Sequence, residues 1–270
     1  MVAKLLSSFR KGNLSEGLAV QLLRRFAAVA TVPHEEDVGV DAVCTLLRVE
    51  GPRLYAEESF AVQIKSASDR RVYYNAEQER WFRTLNLPLF LASVSLREGV
   101  VELYSTEIAH KDPPQFNVGL ILSLDPPDDD KVTEPPYESL SDGNVPCFWL
   151  GPPILRTTLM DADADGFAYM AYARLRPWLT LMLRSLRFRA FGIHQTVWAK
   201  PDQAPAVTAH RHGEGNLREV LAELDPLLWQ LRGLLGHVLE EGPLRAELRA
   251  LADLMKANGI ERPLCDLYGI

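Results

Sequence analysis

Residues 58–68 read ESFAVQIKSAS. The run is rich in β-forming residues, and along a strand successive side chains point to opposite faces. Gln63 and Lys65 stand two places apart and so share a face. An amide and an ammonium between apolar neighbours such as Val62 and Ile64 belong either at a solvated sheet edge or on the wall of a cleft. The flanking sequence has to decide which.

Working outward, LSEGLAVQLLRRFAAVA (14–30) spaces Leu18, Leu22, Leu23 and Phe26 as a helix does, with Asn13 or Ser15 as N-cap. AVATVP (28–33) and VDAVCTLLRVEG (40–51) have strand character and are separated by the polar turn HEEDVG (34–39). After the third strand, NAEQERWFRTLN (75–86) is a short amphipathic helix ending before Pro88, and PLFLASVSL (88–96) and GVVELYST (99–106) are two more strands. The expected order is α-β-β-β-α-β-β.

Nine of the 18 prolines fall between Pro113 and Pro153, around an acidic stretch that has the composition of a linker or long loop. The chain is accordingly divided into an α/β domain at 1–110, a Pro-rich acidic connecting region at 111–160 and a helical domain at 161–270. FNVGLILSLD and VPCFWLG, within the connecting region, are candidate strands to complete the first sheet. A helix is expected after the Asp165-Gly166 turn, kinking at Pro177. Others are expected from Asn216, with Glu219 as a capping-box partner, and from Pro243 to near Gly259.

Composition narrows the function classes. A hydrophobic share of 47% with 24% charged residues is that of a globular protein, not a disordered one. The N-terminus has no basic start followed by an apolar core and cleavage site, and the apolar run WLTLML is too short for a bilayer, so a cytoplasmic protein without a membrane partner is expected. Cys44, Cys147 and Cys265 are odd in number and far apart with no C-x-x-C pair, so neither a disulfide framework nor a cysteine zinc site is indicated, and they are expected as small buried hydrophobes.

Asp41 opens the strand that follows the Gly39 turn, and Glu16 lies in the first turn of the first helix. An acid on a helix, an acid at a strand start and a Gln-x-Lys on the next strand can converge at one end of a sheet. Hard cations such as Mg²⁺ or Mn²⁺ take carboxylate and carbonyl oxygens, so Asp41, the Gln63 amide oxygen and the Ile64 backbone carbonyl are candidate ligands, with Glu16 binding directly or through water. Lys65 is suited to orienting a water nucleophile or offsetting charge on a phosphate.

With this order of elements, Glu16, GVD (39–41) and QIK (63–65) resemble the PD-(D/E)XK nuclease superfamily in its Mrr-like variant, over roughly residues 12–106. The resemblance implies an α/β restriction-endonuclease-like core, an α-β-β-β-α-β mixed sheet, followed by a mainly helical C-terminal domain. It implies a metal-dependent phosphodiesterase with Glu16, Asp41, Gln63 and Lys65 in the catalytic positions, hydrolysing DNA in restriction or antiphage defence. Gln63 is neutral where many members carry an acid, so the site holds one negative charge fewer. The alternative is a catalytically inactive module of the same fold that binds nucleic acid or a partner protein.

Other patterns compete with this one. DADADG (161–166) matches the opening of a calcium loop, but Tyr172 stands where the bidentate Glu belongs, and a helix-capping turn fits better. His210 and His212 lack a third ligand nearby. Glu36 and Asp37 could supply further acids, or simply make a polar turn. Tyr73, Tyr74 and Trp81 are expected in core or rim packing. From Gly166 to Pro201 there is no acid but six basic residues, and Arg176, Arg184 and Arg187 recur near helical spacing. That stripe suits a phosphate backbone; alternatively its arginines pair with Glu219, Glu223 or Glu240. The apolar faces of 217–239 and 244–255 are expected in the core or in a homodimer or partner surface.

Overall fold

The computed structural model describes residues 7–33, 39–110, 118–126, 140–142, 145–189, 193–198, 205–211, 250, 253–257 and 259. Contacts divide the chain into two compact units, Met1–Leu186 with His194–His210, and Arg187–Ile193 with Arg211–Ile270.

The first unit is mixed α/β. Helix α1 (Ser7–Leu23) begins earlier than expected, so Asn13 and Ser15 lie inside it. A cap is worth only about 1 kcal/mol, less than the packing of this helix, and Ser15 is buried within it. Strands β1 (Ala27–Thr31), β2 (Ala42–Glu50) and β3 (Arg53–Ser66) form an antiparallel meander. After a short β4 (Arg71–Tyr74), α2 (Ala76–Thr84) returns the chain to β5 (Leu89–Ser95), which pairs parallel to β3. Asn75 starts α2 through a capping box, its Oδ1 accepting from the Glu77 and Gln78 N–H groups while Gln78 Oε1 accepts from the Asn75 N–H. β6 (Val100–Ser105) pairs with β5, and β10 (Leu155–Thr158) closes the order β1-β2-β3-β5-β6-β10.

The two apolar segments expected to complete this sheet build another. β7 (Leu120–Ser123) and β9 (Val145–Trp149) join β4 and β8 (Leu140–Asp142) in the order β4-β7-β9-β8. Their side chains explain the choice. Leu120, Leu122 and Phe148 are buried with Ala61, Leu89, Leu91 and Phe82, so the small sheet covers a face that would otherwise stand in water.

Alternation along β3 thus serves two cores. Phe60 and Val62 face α1, where Ala19, Leu22 and Leu23 are buried, and Phe60 meets Phe90 edge-on at 5.3 Å. Each such fully buried side chain contributes roughly 1.5–3 kcal/mol. Ala61 faces the second core, so strict alternation carries Gln63 and Lys65 to that same side.

Beyond β10 come α3 (Leu159–Ala162) and α4 (Phe167–Arg189), the latter entered through Gly166 at φ +82° and running unbroken through Pro177. Phe167, Ala171, Leu175, Trp178, Leu179 and Met182 are buried in the first core with the sheet. Helix α4 therefore belongs to the α/β unit as far as Leu186 and does not open a separate helical one there. A two-stranded ribbon, β11 (Ile193–Trp198) and β12 (Ala206–Arg211), follows. The helices expected from Asn216 and Pro243, and with them the expected dimer or partner surface, lie outside the described residues apart from a helical stretch at 253–257. Among the described residues no helix is long and apolar enough to cross a membrane.

Candidate functional site

The site is built where β2 begins. Gly39 adopts φ +95°, and a Cβ there would stand 2.9 Å from the Trp81 ring, so the turn requires glycine for both backbone and space. Asp41 follows with its backbone fixed on both sides: its N–H donates to Val62 O at 3.0 Å and its carbonyl accepts from Val32 N at 2.9 Å. Its carboxylate Oδ2 then accepts the Ile64 N–H at 2.5 Å. The last β2–β3 pair is Ala42 with Val62, so Asp41 takes up an N–H that β2 no longer reaches. In an extended strand a residue's N–H and C=O point to the same edge. The Ile64 carbonyl therefore faces the Asp41 side of β3.

Gln63 is buried on the opposite face of β3 from α1, and its Oε1 accepts a short hydrogen bond from the Tyr74 hydroxyl. Burial raises the Tyr74 phenol well above its ordinary value, and the negative charge of Asp41 raises it further. Asp41, Gln63 and Tyr74 thus form one electrostatic neighbourhood. Lys65, half-buried, pairs in register with Ser93 of β5. Glu16 is half-buried on α1, the helix that covers the Phe60 and Val62 face. The fold gathers Asp41, Gln63, Ile64 and Lys65 around the end of β3, and Glu16 comes from the layer on the other side of the sheet.

Among the described residues no group of three or more His, Cys, Asp or Glu is placed to hold a metal ion. The oxygens available at the end of β3 are one carboxylate, one amide and one backbone carbonyl. That set fits Mg²⁺, which is commonly held by one or two carboxylates together with waters and substrate phosphate; it does not fit zinc or a dedicated calcium cage.

The remaining candidates separate. In DADADG, Asp161 completes a capping box with Thr158 at the start of α3, and Asp163 pairs with Arg25, so two of the would-be ligands have structural roles. Glu36, Asp37 and His212 lie outside the described residues, and His210 falls in β12. Tyr73 is exposed, while Tyr74 and Trp81 belong to the second core. Arg176 pairs with an acid, but one on β3: Glu57 Oε2 receives Arg176 Nε at 3.3 Å and the Tyr172 hydroxyl at 2.8 Å, and its Oε1 receives Arg48 Nε at 2.6 Å. These donors, Tyr172 first, hold the Glu57 carboxyl below its usual range. Glu219, Glu223 and Glu240 are outside the described residues, and Arg184 and Arg187 are exposed on α4.

Sequence reading passed over Tyr74 as a polar partner, and over Ser93 and Glu102 beside Lys65. The signal was present: Ser93 and Ser95 on β5, like Gln63 and Lys65 on β3, are polar residues two apart in an apolar strand. Comparison of the chain with protein-family models, with curated proteins and with solved structures finds no match, so the reading of this site rests on its own residues.

Proposed function

We propose that the chain is a Mg²⁺- or Mn²⁺-dependent nuclease that hydrolyses phosphodiester bonds in DNA, in the setting of restriction or antiphage defence. The observation that carries this reading is the Asp41–Ile64 hydrogen bond, which ties the acid at the start of β2 to the Gln63-x-Lys65 strand. Asp41, the Gln63 amide oxygen and the Ile64 carbonyl would hold the ion; Glu16, expected from the sequence to join them, stands on α1 across the sheet from Lys65 and is left out of the set. A divalent ion there supplies Lewis acidity toward a phosphate oxygen and a more acidic water. Lys65 places its ammonium where negative charge grows on the phosphoryl group, an interaction stronger in the transition state than in the ground state. Asp41, fixed by its backbone and by Ile64, needs little reorganisation when substrate arrives. The exposed arginines of α4 would follow the nucleic-acid backbone.

The test is cleavage of linear, supercoiled and single-stranded DNA and of RNA with Mg²⁺ or Mn²⁺, beside calorimetry of ion binding. The wild type should cut at least one of these, and Asp41→Asn should lose both cutting and ion binding. Absence of cleavage of every substrate, with no ion binding that depends on Asp41, would replace the enzyme by the second reading, a catalytically silent module that holds nucleic acid or a partner protein. One observation favours that second reading: the Tyr74 hydroxyl already satisfies the Gln63 amide oxygen within the protein.

A further inference from the structure

Beside Lys65 the same face of the sheet carries a cleft that the proposed chemistry does not use. Its volume is about 290 Å³, and it is lined by Arg70, Ser93, Ser95, Glu98, Val100 and Glu102, with Ala67 at its margin. Register fixes the floor: Lys65 pairs with Ser93, Ser93 with Glu102, and Ser95 with Val100. The cleft therefore begins on the strand next to that of Lys65, the two backbones lying about 4.8 Å apart in the hydrogen-bonding direction.

Three features of the lining describe what would fill it. Ser93 is 1% exposed and its hydroxyl has no hydrogen-bond partner among the described residues, although a buried hydroxyl is costly to leave unsatisfied. Glu102 is oriented by two donors, Arg156 Nε at 3.2 Å on Oε1 and the Tyr104 hydroxyl at 2.9 Å on Oε2, and a carboxylate retains capacity to accept more. Arg70 stands at the wall with its Nε bonded to Asp125 at 2.8 Å, so its charge is already offset. Glu98 and Glu102 thus leave the cleft rich in acceptors, with the Ser93 hydroxyl able to donate or accept a hydrogen bond. The volume lies at the small end of the ~300–1,000 Å³ of ligand pockets, enough for one heterocycle and too little for a base pair.

We infer that this cleft holds one unpaired nucleobase of the substrate strand, read through its amino edge, while the neighbouring phosphate lies over Lys65. The inference rests on the nuclease reading for what lies over Lys65, and adds to it the class of base taken. Cytosine and adenine present an exocyclic amine that donates to Glu98 or Glu102, beside a ring nitrogen that accepts from Ser93. Thymine and uracil present carbonyl oxygens where the carboxylates stand, and both sides would then be acceptors. A base can enter only from a single strand or after leaving its stack.

The experiment is fluorescence anisotropy of the full chain with labelled oligo-dC, oligo-dA and oligo-dT in EDTA, so that binding is read without cleavage. Oligo-dC or oligo-dA should bind about tenfold more tightly than oligo-dT, the scale of one charge-assisted hydrogen bond. Ser93→Ala and Glu98→Gln should each shrink that difference; Glu98 is on the surface, so its variant tests the cleft even if Ser93→Ala fails to fold. Equal binding of the oligonucleotides, no binding of any, or a preference that survives Glu98→Gln overturns the cleft assignment. A nuclease that cuts without base preference fails the cleft and keeps the enzyme. A base preference without any cleavage keeps the cleft and fails the enzyme.

Discussion

Asp41 and Ile64 stand 23 residues apart in the chain and are joined by one hydrogen bond, Asp41 Oδ2 accepting the Ile64 N–H at 2.5 Å. The bond makes the carboxylate structural as well as a candidate ligand. Asp41→Asn keeps an acceptor oxygen and removes the charge, so the fold should survive while ion binding and cleavage are lost. Asp41→Ala leaves the Ile64 N–H without its partner and should also cost about 1–3 kcal/mol of stability. Urea unfolding of the two variants beside calorimetry separates the roles; equal stabilities would mean that the N–H is satisfied without Asp41.

Lys65→Ala should behave differently from Asp41→Asn. It removes a group that acts on transition-state charge, so turnover should fall by roughly 10²-fold or more while ion affinity is kept. Single-turnover cleavage with matched ion titrations checks this, and a parallel loss of ion affinity would reassign Lys65 to holding the site together.

Tyr74 gives the protein an alkaline limit. Burial first, then Asp41, holds its phenol above the ordinary value, whereas in the unfolded chain it titrates near 10. The unfolded state therefore releases a proton that the folded state keeps, and this contribution to stability, complete below about pH 10, declines as pH rises from there through the folded value. Tyr74→Phe removes the titrating group. Urea unfolding between about pH 8 and about pH 11 should show a shallower alkaline decline for the variant than for the wild type; parallel curves would show that the decline belongs to other tyrosines.

Arginines on α4 should differ in what they contribute to nucleic-acid binding. Arg176 is committed to Glu57. Arg176→Ala should therefore leave the salt dependence of nucleic-acid binding unchanged and, with Arg176 half exposed and Glu57 keeping Arg48 and Tyr172 as donors, cost no more than about 1 kcal/mol. Reversing Arg184 and Arg187 to Glu should flatten the plot of log affinity against log salt by about one unit for each phosphate no longer neutralised. An unchanged slope in folded Arg184 and Arg187 variants would take α4 out of the nucleic-acid surface.

Gly39 should be less replaceable than Gly51. Both have positive φ, at +95° and +56°, but a Cβ at Gly51 meets nothing within 4 Å while one at Gly39 meets the Trp81 ring. Gly51→Ala should cost the conformational penalty of about 1–2 kcal/mol. Gly39→Ala should cost more, up to about 3 kcal/mol, and shift the Asp41 backbone with it. Thermal melts rank the two; the reverse ranking would show that Trp81 yields freely.

The sequence alone determined what depends on backbone period and local chemistry. Two-residue alternation puts Gln63 and Lys65 on one side of β3, helical spacing marks α1 and α2, and the runs of β-forming residues give the order α-β-β-β-α-β-β. These follow from bond geometry and neighbours a few places away. Which layer each face would meet was decided only in three dimensions. β7 pairs with β4 and β9 with β7, instead of extending the first sheet, and this buries Leu122 and Phe148 with Ala61 and Leu91. Partners were equally hidden: Tyr74 for Gln63 is 11 residues away and Glu57 for Arg176 is 119, and any of several acids satisfied the same local pattern. The Ser93 and Glu102 cleft depends on the register of three strands at once. A hydrogen bond or ion pair between distant residues is selected by the whole set of pairings that bury the two cores, and no window of sequence contains that set.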